Sequence, residues 1–307
     1  MSNYSLKAEN LRKTFDGLVA VDNVSVEINS GEIFVFLGPY GAGKSTSIKL
    51  ITGLLKADSG NVFINNKLAN EGDNRQHVGL CPQEVVLWNN LTCFEQLTFI
   101  AAMYDVPGKV ARGRAIGLLE KMGLGEKRNK LVKTLSGGMQ RRMNILMALM
   151  HDPEILILDE PEAGLDPQSR VLVREFIHDL SSTKTIIFTT HNMDEADRLC
   201  HRIGIIDHGK MLITDTPVNL KKQIGSGDKL EIIVNSNEFI LSDFKELAED
   251  VVVFGNQITF RSKAIIEKVP AIIDSLRSKK LEILAMNLSE NTLEDVFISL
   301  TGRKLRE

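Results

Sequence analysis

The hydrophobic pattern of the first half of the chain predicts strands that alternate with helices. Residues 24–28 alternate between apolar and polar side chains, as in a half-buried strand. Three nearly unbroken apolar runs, residues 31–38, 154–160 and 185–191, are typical of strands buried on both faces. Residues 44–55 and 170–180 instead carry apolar side chains at helical spacing. This order predicts an α/β fold with a mostly parallel sheet covered by helices.

The strand pattern is interrupted between about residues 85 and 151. Apolar side chains there recur at helical spacing, in residues 94–106, 110–124 and 137–150. We therefore predict a helical subdomain inserted into the α/β core.

A third pattern begins after the glycine-containing segment 225–227, a candidate linker. The predicted order is strand, helix, strand, strand, helix and strand, followed by a last helix from Asn291. The first helix of this series is predicted at residues 243–248. The order βαββαβ is that of a ferredoxin-like domain. We therefore predict a large domain at residues 1–224 and a small α+β accessory or regulatory domain at residues 228–307.

Composition limits the possible classes of protein. The 307 residues are 43% hydrophobic and 25% charged, with a net charge of −3, which is ordinary for a globular chain. The nearly balanced charge does not favour nucleic acid as a partner. The N-terminus lacks the apolar core of a signal peptide, and no apolar run is long enough to span a bilayer. We therefore expect a cytoplasmic protein that reaches a membrane only through a partner.

The segment "GPYGAGKST" follows a predicted strand and opens a predicted helix, which is the context of a phosphate-binding loop. Its glycines allow backbone N–H groups to close around phosphates, Lys44 supplies a cation for the β and γ oxygens, and Ser45 is a natural Mg²⁺ ligand. The expected nucleotide-binding residues of this loop are Gly38, Pro39, Tyr40, Gly41, Ala42, Gly43, Lys44, Ser45 and Thr46.

Two further strand ends carry residues suited to phosphate chemistry. The run "ILILDE" ends with Asp159, placed to hold Mg²⁺, and Glu160, which could orient or deprotonate an attacking water. His191 ends the next apolar run, and ligands of open α/β sheets bind beyond the carboxyl ends of the strands. A neutral imidazole there could hydrogen-bond a γ-phosphate oxygen or the water.

The segment "LSGGMQRR" poses a separate question, because its serine and paired glycines could form a second anion-binding turn. In isolation, such a segment is most simply the N-terminal cap of a helix.

Together these motifs resemble the ATP-binding cassette (ABC) ATPases over nearly all of residues 4–220. "LSGGMQ" is similar to the signature motif of that family and "GLDP" to its D-loop. Gln83 matches the Q-loop glutamine, His191 the switch histidine, and Phe15 the aromatic residue that stacks on adenine. The resemblance implies a P-loop NTPase of ABC type, with a mixed sheet core, an antiparallel β subdomain and a helical insertion.

The resemblance also implies ATP and Mg²⁺ as cofactors, with Ser45, Gln83 and Asp159 around the metal. It further implies a head-to-tail dimer, either a homodimer or a heterodimer with a related cassette. The signature residues Ser136, Gly137 and Gly138, together with Asp166, would then contact the ATP held by the other subunit. This would explain a second anion-binding turn in one domain.

The C-terminal segment "NTLEDVFISLTGR" resembles the end of ATPases from the drug, lipid and sodium exporter branch of the family. The favoured function is therefore the ATP-hydrolysing subunit of an exporter, held at the inner face of the membrane by a separate permease. The alternatives are a soluble ATP-switched module acting on ribosomes or DNA, and a nucleotide-binding regulatory subunit with negligible turnover. The last rests on Tyr40 and Glu162, which replace the usual asparagine and the usual serine or threonine.

A surface for the permease is expected beside Gln83. The segment "VVLWNNLT" brings apolar Val86, Leu87 and Trp88 next to a residue that should sense Mg²⁺. A buried aromatic anchor is a common interface hot spot. The alternative is that Trp88 belongs to the core of the helical subdomain.

Overall fold

The computed structural model describes residues 4–69, 74–223, 227–236, 244 and 246–302. The chain divides into two units, one up to Thr214 and one from Asp215 onward.

The strands up to Asp215 form two sheets. They are β1 Tyr4–Phe15, β2 Leu18–Asn29, β3 Ile33–Leu37, β4 Ser59–Ile64, β5 Lys67–Leu68, β6 Val78–Cys81, β7 Ile155–Asp159, β8 Thr185–Thr190, β9 Arg202–Asp207 and β10 Lys210–Asp215. The first sheet is antiparallel with the order β2-β1-β4-β5, and the second has the order β10-β9-β3-β8-β7-β6. In the second sheet β9, β3, β8, β7 and β6 are parallel.

Helices complete the first unit. They are α1 Lys44–Ile51, α2 Cys93–Met103, α3 Gly108–Lys121, α4 Gly137–Met147, α5 Pro167–Ser181 and α6 Met193–Leu199. Helices α2, α3 and α4 pack on one another and form the predicted insertion. The fold class inferred from the sequence is thereby confirmed, including the antiparallel β subdomain.

The apolar runs became the central strands because every residue of β3, β7 and β8 is buried. Their parallel register sets Leu37 beside Thr190 and Asp159 beside Thr189. The carboxyl ends of these strands therefore meet at one edge of the sheet. Asp159 ends β7, Glu160 follows it, and His191 follows β8 at the same edge.

The second unit contains an antiparallel sheet with helices. Its elements are α7 Pro217–Gln223, β11 Asp228–Val234, β12 Asp250–Phe254, β13 Gln257–Ser262, α8 Ile265–Ser278, β14 Ile283–Ser289 and α9 Leu293–Thr301. The strand order β12-β13-β11-β14 is that of a ferredoxin-like sheet.

The helix predicted at residues 243–248 differs from the structure. Phe244 and residues 246–248 form turns and a bend, while Asp243 and Lys245 lie outside the described residues. The buried ring of Phe244 packs edge-to-face on Phe260, with 6.0 Å between centroids. Phe244 and Ala248 therefore hold this segment in the core of the second unit without the helix that the periodicity had predicted.

The division between the units lies closer to the N-terminus than the predicted boundary at residue 224. Helix α7 packs on α9, and Asn291 Nδ2 donates to the carbonyl oxygen of Lys221 at 2.7 Å. These contacts connect α7 to the second unit. Within the described residues, none of the helices is long and apolar enough to cross a membrane.

Candidate functional site

The loop between β3 and α1 can only be built with glycine at key positions. Gly41 and Gly43 have φ values of +77° and +98°, in the left-handed region that favours glycine. A Cβ atom on Gly43 would lie 2.5 Å from the carbonyl oxygen of Ala20, and one on Gly38 would lie 2.2 Å from that of Ile206. Glycine at these positions therefore lets the loop turn tightly and lie close to neighbouring backbone, as an anion-binding loop requires.

Lys44 lies beneath this loop and is only 5% exposed. Its ammonium donates to the carbonyl oxygens of Gly38 at 2.7 Å and Pro39 at 3.1 Å. Burial lowers the pKa of Lys44, and the nearby carboxylates of Glu160 and Asp159 act in the opposite direction. The ammonium is thus buried and bonded to the carbonyl oxygens of the phosphate loop.

The predicted metal residues Ser45 and Asp159 are in direct contact. Asp159 Oδ1 accepts hydrogen bonds from Ser45 Oγ at 3.2 Å and from Thr189 Oγ1 at 2.5 Å. Carboxylate and hydroxyl oxygens suit Mg²⁺, so this donor set fits the ion. The described residues contain no group of three His, Cys, Asp or Glu side chains that could hold a metal alone. The fit therefore depends on further oxygens, of the kind that nucleotide phosphates supply.

Glu160 is buried at the centre of the site with its backbone in the left-handed region, at φ +48°. Such a conformation costs a non-glycine residue about 1–2 kcal/mol. Its amide donates to both the carbonyl and the hydroxyl oxygen of Thr189, at 3.2 and 3.0 Å. Its carboxylate accepts from Gln83 Nε2 at 3.2 Å and lies 3.8 Å from the ammonium of Lys44. The predicted Q-loop glutamine therefore contacts Glu160, the residue after Asp159.

His191 lies beside Glu160, as the shared sheet edge predicts. The distance between His191 Nδ1 and Glu160 Oε1 is 3.4 Å. The other ring nitrogen, Nε2, is 3.2 Å from the hydroxyl of Tyr40. The sequence had placed His191 and Tyr40 in one site but had not indicated that they touch.

Arg141 is a buried residue that connects the segments of the site and that the motif analysis missed. Its guanidinium is 3% exposed and donates only to backbone carbonyl oxygens. The acceptors are Pro82 at 2.8 Å, Gln83 at 2.7 Å, Asp159 at 2.6 Å, Glu160 at 2.7 Å and Pro161 at 3.3 Å. One side chain of the signature helix α4 therefore fixes the Q-loop and the segment that follows β7. The available signal was an arginine within a helix whose remaining periodicity is apolar.

Glu162, the added carboxylate, is buried and bonded to the last residue of β8. It accepts a short hydrogen bond from the Thr190 hydroxyl, which also accepts from the amide of Asn192 at 2.8 Å. Burial raises the pKa of Glu162, as do, to a smaller extent, the charges of Glu160 and Glu195. The added carboxyl is therefore biased toward its neutral form.

The signature residues form a second cluster, apart from the cleft over the phosphate loop. Ser136 Oγ caps α4 by accepting from Met139 N at 3.3 Å, and Asp166 caps α5 by accepting from Ser169 N at 2.9 Å. Hydrogen bonds from the amide and the hydroxyl of Ser169 lower the pKa of Asp166. The cleft, of about 300 Å³, is lined by Leu18, Val19, Ala20, residues 40–46, Gln83, Glu160, His208 and Gly209.

The predicted adenine contact, Phe15, lies at the rim of the first sheet. Phe15 is 43% exposed, and it pairs with Leu18, which lines the cleft. An aromatic ring available to solvent is compatible with stacking on a base.

Comparison with known proteins places the chain among transporter subunits. Residues 21–163 match the family described as ABC transporter, and residues 216–301 match the C-terminal domain of DrrA1-3-like ATP-binding proteins. The linearmycin resistance ATP-binding protein LnrL of Bacillus subtilis is 39% identical over 98% of this chain and 100% of its own length. The daunorubicin/doxorubicin resistance ATP-binding protein DrrA of Streptomyces peucetius is 32% identical over 97% of this chain and 92% of its own.

Solved structures give the same result for the fold. The cbiO1 subunit of Clostridium perfringens, part of an ABC transporter complex, has a TM-score of 0.65 at 28% identity, covering 72% of this chain and 92% of that one. A dimeric ATP-binding cassette in a post-hydrolysis state with ADP and Pi has a TM-score of 0.64 at 28% identity, covering 69% and 98%.

Proposed function

Because the chain belongs to the ABC transporter family, whose ATP-binding subunits hydrolyse ATP, we propose that it drives an exporter through a separate membrane permease. The carrying observation is the position of Glu160, held between Gln83, Lys44 and the imidazole of His191 at the mouth of the phosphate loop. The relatives named for drug resistance extend along nearly the whole chain, which favours export over uptake.

The residues divide the work of hydrolysis. The loop amides and the Lys44 ammonium bind the β- and γ-phosphates, and Phe15 packs on the base. Ser45 and Asp159 would hold Mg²⁺, with Gln83 beside them, and the ion would supply charge that stabilises the transferring phosphoryl group. Glu160 orients the attacking water and accepts its proton, while the imidazole of His191 lies 3.4 Å from the Glu160 carboxylate and helps to hold it in place.

Replacement of Glu160 by glutamine tests this assignment. The amide keeps the shape of the side chain but cannot accept the proton, so the variant should bind ATP while hydrolysis falls by about 100-fold or more. Equilibrium binding of ATP and steady-state phosphate release measure the two properties separately. Turnover close to that of the unchanged chain would remove Glu160 from this role.

The dimer completes the site. Ser136 caps α4, which begins with Gly137 and Gly138, and an ideal Cβ at Gly138 would lie 3.7 Å from Asp166 Oδ2. The open amides and dipole at this helix start favour a phosphate. We place them on the ATP bound by the other subunit, in a homodimer or a heterodimer with a related cassette.

Mixing two inactive variants tests this arrangement. Lys44→Ala removes the cation of the phosphate loop, and Ser136→Arg fills the signature turn. A mixed dimer contains one site with both residues intact and one with both altered, so the mixture should regain activity absent from either variant. The mixture must first be shown to form heterodimers, for example by tagging one variant. No recovery in such dimers would contradict the composite site.

We place the permease on the cleft between the core and the helical subdomain. This cleft, of about 660 Å³, is lined partly by Leu54, Val86, Trp88 and Tyr104. These side chains are 68%, 54%, 41% and 38% exposed, so apolar surface is available to a partner. Because Trp88 packs edge-to-face on Phe99, at 5.2 Å between ring centroids, it is held as a preformed anchor.

Trp88→Ala should abolish co-purification with the permease while the thermal unfolding midpoint changes little, because the ring is partly exposed. Val171→Ala is the matched control, since Val171 is also 41% exposed but lies on α5. Unfolding of the Trp88 variant would support the alternative that the ring belongs to the core of the helical subdomain.

The second unit supplies none of the proposed catalytic residues, so we assign it a regulatory or dimer-stabilising role. Truncation after residue 214 should therefore leave ATP binding intact and weaken dimer formation. Loss of ATP binding would show that the two units fold together.

A further inference from the structure

The imidazole of His191 is held between two side chains of different chemistry. The hydroxyl of Tyr40 lies 3.2 Å from Nε2, and the two ring centroids are 4.6 Å apart with a tilt of 39°. On the opposite side of the imidazole, Nδ1 is 3.4 Å from Glu160 Oε1. Nδ1 is buried and has no hydrogen bond of good geometry, so its contact with the carboxylate is electrostatic.

These neighbours fix where the proton of a neutral imidazole resides. A carboxylate can only accept, so a proton on Nδ1 is attracted to Glu160, whereas a lone pair on Nδ1 would be repelled. With the proton on Nδ1, Nε2 is the bare nitrogen and accepts from the O–H of Tyr40. Burial and the charges of Glu160 and Glu162 raise the pKa of Tyr40, which keeps the phenol protonated.

We propose that Tyr40 is a positioning residue for His191, whose ring and hydroxyl hold the imidazole beside Glu160 with its proton on Nδ1. The inference rests on the proposed roles of His191 and Glu160 in hydrolysis. It gives a physical role to a tyrosine that stands where the family usually has asparagine: only the longer, aromatic side chain both packs on the imidazole and bonds to Nε2.

Nitrogen NMR of the full chain with ¹⁵N-labelled histidine tests the contact directly, because the two ring nitrogens have distinct shifts in each tautomer. His191→Gln identifies the His191 signals by their loss. In the unchanged chain the neutral ring should carry its proton on Nδ1. Tyr40→Phe removes only the hydroxyl and should shift these signals toward the other tautomer or a mixture. Tyr4→Phe, which removes a phenolic hydroxyl on β1, is the matched control and should leave them unchanged.

A proton on Nε2 in the unchanged chain would overturn the proposal. So would identical His191 signals in the Tyr40→Phe chain.

Steady-state kinetics test the consequence. Tyr40→Phe should lower kcat by about two- to tenfold, the equivalent of one lost hydrogen bond, with KM for ATP nearly unchanged because the loop amides and Lys44 remain. In a His191→Ala background the same change should have no further effect, since the residue that it positions is gone. An equal loss in both backgrounds, a rise in KM alone, or a gain in kcat would contradict the positioning role.

The two measurements separate this inference from the proposed function. If the unchanged chain failed to hydrolyse ATP, the proposed function would fail, and the NMR experiment would still decide whether Tyr40 sets the tautomer of His191.

Discussion

Arg141 provides the most demanding test of how the site is assembled. Arg141→Met keeps much of the volume of the side chain but removes the charge and all five hydrogen bonds to carbonyl oxygens. These carbonyls belong to the Q-loop and to residues 159–161, which include the proposed metal residue Asp159 and the proposed water-orienting residue Glu160. The substitution therefore removes support from the backbone of the site and leaves every proposed catalytic side chain in the sequence.

The magnitude follows from burial. A net hydrogen bond from a charged donor contributes about 1.5–3 kcal/mol, so five independent bonds would give more than 7 kcal/mol. They are not independent, and the variant no longer has to desolvate a guanidinium, which offsets part of the loss. We expect the free energy of unfolding to fall by about 3–5 kcal/mol, the usual cost of removing one partner from a buried charged network. That is a large share of the about 5–15 kcal/mol that stabilises a typical domain.

Urea unfolding followed by fluorescence measures this loss, because Trp88 is the only tryptophan of the chain and lies a few residues from Gln83. The neighbouring Arg142 is the matched control. Its guanidinium donates to the carbonyl oxygen of Met122 at 2.8 Å, so Arg142→Met should cost about 1–2 kcal/mol. Equal losses in the two variants would refute the argument that the five carbonyl contacts of Arg141 organise the site.

Three further predictions follow from the same site. Lys44→Ala should abolish turnover and greatly weaken ATP binding in equilibrium titrations; ATPase activity like that of the unchanged chain would contradict the phosphate site. Gly43→Ala should destabilise the protein by about 1–3 kcal/mol in urea, because a left-handed backbone and a close carbonyl both oppose a Cβ, whereas Gly41→Ala, which faces open space, should cost less. The folded-state pKa of Glu162 is raised, so the folded state binds that proton more tightly and stability should fall as pH rises from the ordinary glutamate pKa through the raised value. Glu162→Gln should remove this fall and be the more stable protein at neutral pH; unfolding curves with the same pH dependence as the unchanged chain would show that Glu162 does not titrate in this way.

The sequence predicted which residues meet at the edge of the sheet, because the apolar runs that form the strands and the polar residues that end them are adjacent in the chain. Three short apolar runs are typical of buried parallel strands. Polar residues at the carboxyl ends of such strands are expected at one edge of the sheet. The register of β3, β7 and β8 then brought Asp159 and Thr189 together and set Thr190, the residue before His191, beside Leu37. The phosphate loop was predictable for the same reason, since its glycine spacing encodes backbone conformation.

Contacts between side chains and backbone groups far apart in the sequence could not be predicted. Arg141 bonds to carbonyl oxygens between 18 and 59 positions away, and a carbonyl acceptor leaves no trace in residue identity. The segment at Phe244 failed for a related reason. Its apolar spacing is compatible with a helix, but the structure packs Phe244 on Phe260 of β13 from a turn, a contact that local spacing does not reveal.

Tyr40 and Glu162, the two departures from the family pattern, contact two consecutive residues, His191 and Thr190. Tyr40 bonds to His191, and Glu162 accepts from Thr190, the last residue of β8. Burial raises the pKa of both side chains and so favours the uncharged form of each. The interpretation of the chain as a subunit with negligible turnover depended on these two residues crowding or repelling the nucleotide. Their contacts instead lie at the end of β8, which His191 follows, so neither side chain supports that interpretation.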